Sequence, residues 1–161
     1  MKRFFLTLLV VLMTFMLKAQ VNERTLGLRL GGNGSVNGIE CAYQHGLSNA
    51  NRLEVDLGFG AGKGHNRLYV VGVYHWVWNI ADAFNWYVGP GATVGLYQYN
   101  PGEDGINIGV GGQIGLEYDF KSLGAPILLS LDARPMWDFF GNSSGLGWGA
   151  ALGVRYILGE K

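Results

Sequence analysis

The 161-residue chain predicts an all-β fold: an eight-stranded antiparallel up-and-down transmembrane β-barrel. Three observations predict it. Residues 106–120, INIGVGGQIGLEYDF, alternate with a strict period of two, with Ile106, Ile108, Val110, Ile114 and Leu116 on one face. Asn107, Gln113, Glu117, Asp119 and three glycines lie on the other. At ~3.3 Å per residue this strand would span roughly 50 Å untilted, far beyond the 5–6 residues usual in soluble domains, and a bilayer crossed at a tilt accounts for it. Second, the remaining chain breaks into seven further segments of similar alternation, joined by short polar connections. Third, the first twenty residues have the form of an export signal.

That signal begins with Lys2 and Arg3, continues as an apolar stretch from Phe4 to Leu17 interrupted by Thr7 and Thr14, and ends at Leu17-Lys18-Ala19 before Gln20. Such a stretch is short of the ~20 apolar residues a spanning helix needs, so it reads as a cleaved secretory signal peptide. The expected organisation is a signal peptide over 1–19 and an outer-membrane β-barrel domain over 20–161. Cleavage removes three basic residues, leaving nine against twelve acids, 9 − 12 = −3. That balance excludes a polybasic nucleic-acid binder. The lone Cys41 cannot form an internal disulfide and reads as a small packed hydrophobe. No later stretch is apolar enough for a transmembrane helix, so a membrane-embedded mature chain must close into a barrel.

The candidate strands are 24–32, 36–46, 51–61, 67–78, 84–98, 106–120, 126–139 and 146–158. The first three place Leu26, Leu28 and Leu30, then Ile39, Cys41 and Tyr43, then Leu53, Val55, Leu57 and Phe59 toward lipid. The fourth, RLYVVGVYHWVWN, is apolar on both faces and leaves its phase open; setting Val70, Tyr74, Trp76 and Trp78 outward puts His75 inside. The fifth presents Trp86, Val88, Ala92, Val94 and Leu96 outward, the seventh Leu129, Leu131, Ala133 and Trp137, and the eighth Leu146, Trp148, Ala150, Leu152, Val154 and Tyr156. Glycines recur at i, i+2 on the opposite faces (Gly109, Gly111, Gly115; Gly149, with Gly147 and Gly153), which suits a narrow interior where larger neighbours need room.

In this phasing the mid-strand charge turns inward: Arg29, Glu40, Arg52, Glu54, Asp56, Glu117, Asp119, Asp132, Arg134 and Arg155. An arginine facing lipid near the midplane would cost about 2–4 kcal/mol, whereas lumen charges can pair with one another. Eight strands leave an interior just wide enough for side chains to fill, so these residues are expected to form a lumen charge network plugging the barrel. Trp76, Trp78 and Trp86, with Phe84, flank the 79–83 turn, and with Trp137 and Trp148 they make up an expected aromatic girdle at the membrane boundary. With both termini periplasmic, the outer loops would be 31–37, 60–66, 99–105 and 140–145, and the inner turns 46–51, 79–83 and 121–125.

Apparent catalytic motifs fail on context. Gly141–Gly145 matches G-x-S-x-G, but all three histidines precede Ser143 and no helix follows. Lys63 follows a glycine run that has Leu57 and Gly64 where a P-loop needs Gly and Ser or Thr. His45, His65 and His75 lack ligand-like spacing. No catalytic, cofactor-binding or metal site is therefore expected, and no cofactor. His45-Gly46-Leu47-Ser48-Asn49-Ala50 loosely resembles the His-x-Ser-Asn-Ala segment of lipid A 3-O-deacylase barrels, with a spacing of three in place of two, which on a strand separates the two side chains to opposite faces.

The whole mature chain resembles the small OmpA-like/OmpX-like outer-membrane β-barrel proteins, in particular the short barrels of Bacteroidetes, through the Ala19-Gln20 signal end, the segment HGLSNANRLEVDLGFG and the hairpin YHWVWNIADAFNWYVGPGA. The resemblance implies a monomer in the outer membrane of a Gram-negative bacterium. Its partners would be outer-membrane lipid, lipopolysaccharide and the barrel-assembly machinery, without nucleic acid. The expected role is non-enzymatic, structural or interactive, in the cell envelope. Two other classes stay open at this point: a membrane-embedded enzyme acting on lipid A or phospholipid, and a soluble periplasmic calycin-like barrel with its apolar face turned inward to hold a ligand.

Overall fold

In a computed structural model the chain is described over residues 17–18, 21–33, 36–62, 65–99, 103–139 and 145–159. Eight long strands follow in order: β1 (Arg24–Asn33), β2 (Val36–Ser48), β3 (Asn51–Gly62), β4 (His65–Ala81), β5 (Phe84–Tyr99), β6 (Glu103–Asp119), β7 (Ile127–Asp138) and β8 (Gly145–Ile157). Each pairs antiparallel with the next, and β1 pairs with β8 from Thr25↔Ile157 to Gly31↔Ala151, closing the barrel. A two-residue strand, Leu17–Lys18, lies outside this cycle and pairs with Asn79 and Trp78 of β4. The rest of the expected signal peptide falls outside the described residues.

The pairings give the stagger of the closed sheet. Through β2, β3, β4 and β5, the partner row of Leu30 reaches Ile106 on β6. In the other direction, through β8 and β7, it reaches Leu116. The offset is 116 − 106 = 10 residues. With ~3.3 Å per residue and ~4.8 Å between strands, ten residues spread over eight strands tilt each strand by about 40°, within the range of membrane barrels.

The period of two sorts the side chains. Leu57, Phe59, Leu96 and Ile106 are 55–63% exposed on the outer face, while Arg29, Glu54, Asp56, Arg134 and Arg155 are fully buried inside. His75 is buried and Trp76 exposed, so β4 takes the phase with Val70, Tyr74, Trp76 and Trp78 outward. Cys41 is exposed on the outer face; it does not pack in a protein core, because the strand phase turns it away from the lumen. A calycin-like carrier would need the opposite arrangement, and the apolar residues here face outward.

The ends of the barrel differ from expectation in one respect. The stretches 31–37, 60–66 and 99–105 are largely strand: ladders run on to Asn33↔Val36, Gly62↔His65 and Tyr99↔Glu103. Glycine and asparagine weaken a strand without forbidding one, and at a strand tip the ladder continues with little side-chain packing to satisfy. The residues between these tips, and 140–144 with the G-x-S-x-G match, lie outside the described residues, as does Lys63. At the opposite, proximal end, Ser48↔Asn51 and Ala81↔Phe84 close tight turns, with Asp82 at φ 43°. There β6 stops at Asp119, one residue earlier than expected, because Phe120–Leu123 forms a 3₁₀ turn ended by Gly124 in the left-handed region at φ 82°.

Candidate functional site: the charged lumen

The lumen is filled from several strands at once. Arg29 of β1 reaches across β8 to Asp132 of β7, with Nη2 2.5 Å from Oδ1 and Nε 3.0 Å from the same atom. Its Nη1 donates to Glu40 Oε2 of β2 at 2.8 Å. Arg134 of β7 is the hub: Nη1 meets Glu40 Oε2 at 3.1 Å, and Nη2 meets Glu54 Oε1 at 3.2 Å and the carboxylate of Asp56 more closely still. Arg155 of β8 places Nη2 2.9 Å from Glu54 Oε2 and donates from Nη1 to Ser130 Oγ at 2.7 Å. Neutral groups complete this middle tier. Gln44 and Gln113 donate to Glu54, and Gln113 Oε1 accepts from Arg134 Nε at 3.1 Å. The hydroxyl of Tyr69 donates to Glu40 Oε1 at 2.8 Å.

Two smaller tiers flank it. Toward the proximal end, Arg52 pairs with Glu117 at 2.7 Å, donates to His75 Nδ1 at 3.2 Å and lies over the Tyr87 ring at 4.7 Å. Toward the distal end, Arg67 sits between the rings of Tyr69 and Tyr97, 4.9 and 5.0 Å from their centroids, with Asp138 3.5 Å away. An apolar cluster of Tyr69, Val71, Val73, Tyr97 and Met136 fills the space beside that arginine. The glycine rows leave room for these bulky groups. A Cβ on Gly115 would overlap the Tyr87 ring, and one on Gly58 the Tyr69 ring.

Of the lumen residues read from the sequence, the structure brings Arg29, Glu40, Glu54, Asp56, Asp132, Arg134 and Arg155 into the middle tier and Arg52 and Glu117 into the proximal one. Asp119 belongs to neither. It ends β6, accepts the Lys121 amide at 2.8 Å to cap the 3₁₀ turn, and accepts from Asn22 Nδ2 at 2.8 Å. Sequence reasoning missed Arg67 and Asp138. Arg67 opens a segment whose apolar run drew attention away from its one charge, and Asp138 stands at a strand tip; alternation carried the signal for both, since Asp138 shares the parity of Asp132 and Arg134, and Arg67 that of His75. Arginines 29, 52, 67, 134 and 155 thus face the carboxyls of Glu40, Glu54, Asp56, Glu117, Asp132 and Asp138, five against six, all at most 4% exposed. A charge taken from water into such a site is costly unless paired and hydrogen-bonded, which the multiple contacts to each middle-tier arginine achieve.

The tryptophans occupy two levels. Trp78 and Trp86 are cross-strand partners, stacked with centroids 4.5 Å apart, and Trp76 pairs with Val88, all near the proximal Ala81–Phe84 turn. Trp137 pairs with Leu146 and Trp148 with Pro135, beside the distal Asp138↔Gly145 pair. Outward Trp at both ends of the apolar wall is the arrangement of membrane barrels with an aromatic belt at each interface. His45 lies exposed on the outer wall and stacks on Tyr43 with centroids 6.5 Å apart, while Ser48 Oγ donates to Asn51 Oδ1 at 3.0 Å within the turn. The two side chains thus serve different local structures.

No family model matches the chain, and no curated protein matches it. Solved structures do. Neisserial surface protein A aligns over 84% of this chain and 94% of its own, at 13% identity and a TM-score of 0.63. A de novo designed transmembrane β-barrel aligns over 88% and 100%, at 17% identity and a TM-score of 0.50. Ail, the attachment invasion locus protein of Yersinia pestis, aligns over 83% and 95%, at 10% identity and a TM-score of 0.51. At these identities the likeness is one of fold: the chain has the closed eight-stranded antiparallel architecture of small outer-membrane barrels.

Proposed function

We propose that the chain is a non-enzymatic outer-membrane β-barrel of a Gram-negative bacterium, with a plugged lumen and a structural or interactive role in the cell envelope. The observation that carries this reading is the inversion of polarity. The wall presents leucine, isoleucine, valine and tryptophan outward, while ten of the eleven lumen charges named above lie within 3.2 Å of an oppositely charged or hydrogen-bonding partner, and the eleventh, Asp138, accepts from the Tyr97 hydroxyl at 3.4 Å. Such a surface is stable only against hydrocarbon.

In this reading the signal peptide is removed after Ala19 or Gln20, the termini and tight turns face the periplasm, and the distal strand tips face outward. Lipid and lipopolysaccharide contact the apolar belt, the barrel-assembly machinery inserts the chain, and the folded product is a monomer without a cofactor. The Bacteroidetes type is supported by the Ala19-Gln20 signal end and the two quoted segments. Fractionation tests the reading. Expressed with its leader, the chain should sediment with outer membrane, resist urea extraction and migrate faster on gels unheated than boiled. Recovery in the soluble periplasm would overturn it. For the enzymatic alternative, lipid A mass spectra from cells carrying His45→Ala or Ser48→Ala should match those from cells carrying the unaltered chain.

A further inference from the structure

Three residues ahead of β1 take no part in the eight-strand cycle, yet they are held at several points across the proximal mouth. The amide of Val21 donates to Asn49 O in the β2–β3 turn at 3.2 Å, and its side chain packs on Val77 and Tyr87, the apolar pair at that end of the lumen. Glu23 O accepts from the amide of Gly46 on β2 at 2.8 Å. Between them, Asn22 Nδ2 donates to Asp119 Oδ2 at the end of β6 at 2.8 Å. β2 and β6 are four strands apart in a cycle of eight, so these anchors stand on opposite walls.

We propose that Val21–Glu23 is a releasable strap that closes the proximal mouth of the lumen, with Asp119 as its clasp. The wall is cut to receive it. A Cβ at Gly46 would come within 2.9 Å of Asn22 O and 3.3 Å of the Glu23 Cα, so a side chain there would lift the strap. The clasp is tied to a second element, since the other oxygen of Asp119 accepts the Lys121 amide and starts the 3₁₀ turn. Val21 covers Tyr87, and Tyr87 in turn lies against Arg52, the partner of Glu117. Release of the strap admits water to that pair first. The inference concerns the mouth of the lumen and holds whichever membrane carries the barrel.

The test uses the full mature barrel refolded in detergent micelles, with Val77→Cys in a Cys41→Ser background, and follows labelling by a small cationic methanethiosulfonate. Folding of each variant is checked by heat-modifiable gel mobility. With the strap in place labelling should be slow. Asn22→Ala should speed it about tenfold or more, the scale expected from removing a hydrogen bond to a carboxylate. Asp119→Ala, which also uncaps the 3₁₀ turn, should speed it at least as much, and the double variant should add nothing beyond Asp119→Ala alone, because the Asn22 contact is already lost there. Leu96→Ala, on the distal outer wall, should leave the rate unchanged. Equal labelling with and without Asn22→Ala, or equal acceleration by Leu96→Ala, overturns the proposal. If Val77→Cys does not fold, amide exchange in the barrel with its native Val77 decides instead. Asn22→Ala should speed exchange of the Gly46 amide, whose acceptor is on the strap, and spare the Cys41 amide in mid-wall. Unchanged Gly46 exchange overturns it equally.

Discussion

Alternate residues of β3 live in different solvents. Leu53, Val55, Leu57 and Phe59 are 39–55% exposed, while Arg52, Glu54 and Asp56 between them are at most 2% exposed. In a water-soluble domain this pattern would be unstable on both faces. Here the outer face draws no stabilisation from burial in protein; in the proposed function lipid supplies it. The inner face carries the specificity, since each carboxyl must meet its arginine from another strand at hydrogen-bonding distance. The difference teaches that the two faces should answer mutation by different rules: the lumen to loss of a partner, the wall to gain of a charge.

The largest effect is expected at the hub. Arg134→Met leaves Asp56 without an arginine and Glu40 and Glu54 with one each, Arg29 and Arg155, in a buried space, and should cost about 3–5 kcal/mol in urea unfolding followed by tryptophan fluorescence in lipid vesicles. If the loss were under about 1 kcal/mol, the inner face would not depend on pairing. On the wall, Leu57→Arg near mid-belt should cost about 2–4 kcal/mol, and Ile106→Arg beside the polar Asp104 only about 0–1 kcal/mol, by the same measurement. Equal costs would show that the apolar belt does not mark bilayer depth. Steric crowding should separate the faces next. Gly115→Ala, which drives a methyl into the Tyr87 ring, should cost about 1–3 kcal/mol, while Gly72→Ala, whose Cβ meets nothing within 4 Å, should stay within about 0.5 kcal/mol. The smallest lumen effect is expected at Arg67. It is held by two tyrosine faces, a neutral hydrogen bond to Thr93 Oγ1 at 2.9 Å and a 3.5 Å ion pair, so Arg67→Met should cost about 1–2 kcal/mol, well under the hub. A loss equal to that of Arg134→Met would place the distal tier on the same footing as the middle one.

Much of this was legible because a strand's period of two writes its environment directly into the chain. The run 106–120 declares its faces, and Leu26-Leu28-Leu30 against Arg29 does the same in miniature. What could not be read depends on stagger. Arg29 meets Asp132 over a sequence separation of 103 residues, skipping β8, and only the ten-residue offset of the closed sheet puts them at one level. Asp119 shares its parity with Glu117, so alternation alone sent both inward; the 3₁₀ turn that ends β6 gives Asp119 its separate task. The five tryptophans were read as one girdle because parity reports a face and is silent on height. The glycine- and asparagine-rich tips read as loops because composition says nothing of a ladder that continues by backbone alone.

The seam between β1 and β8 has a consequence for how the cylinder is completed. The last strand carries Arg155, whose partner Glu54 lies on β3, and the first carries Arg29, whose partner Asp132 lies on β7. Both pairs therefore reach past the seam. A closure slipped by two residues keeps every outward side chain outward and satisfies the backbone, so neither lipid nor the ladder would object to it. It would, however, carry each arginine about 7 Å from its carboxyl. The ion pairs act as a proofreading lock on closure, rejecting cylinders of the wrong stagger that the wall alone would accept.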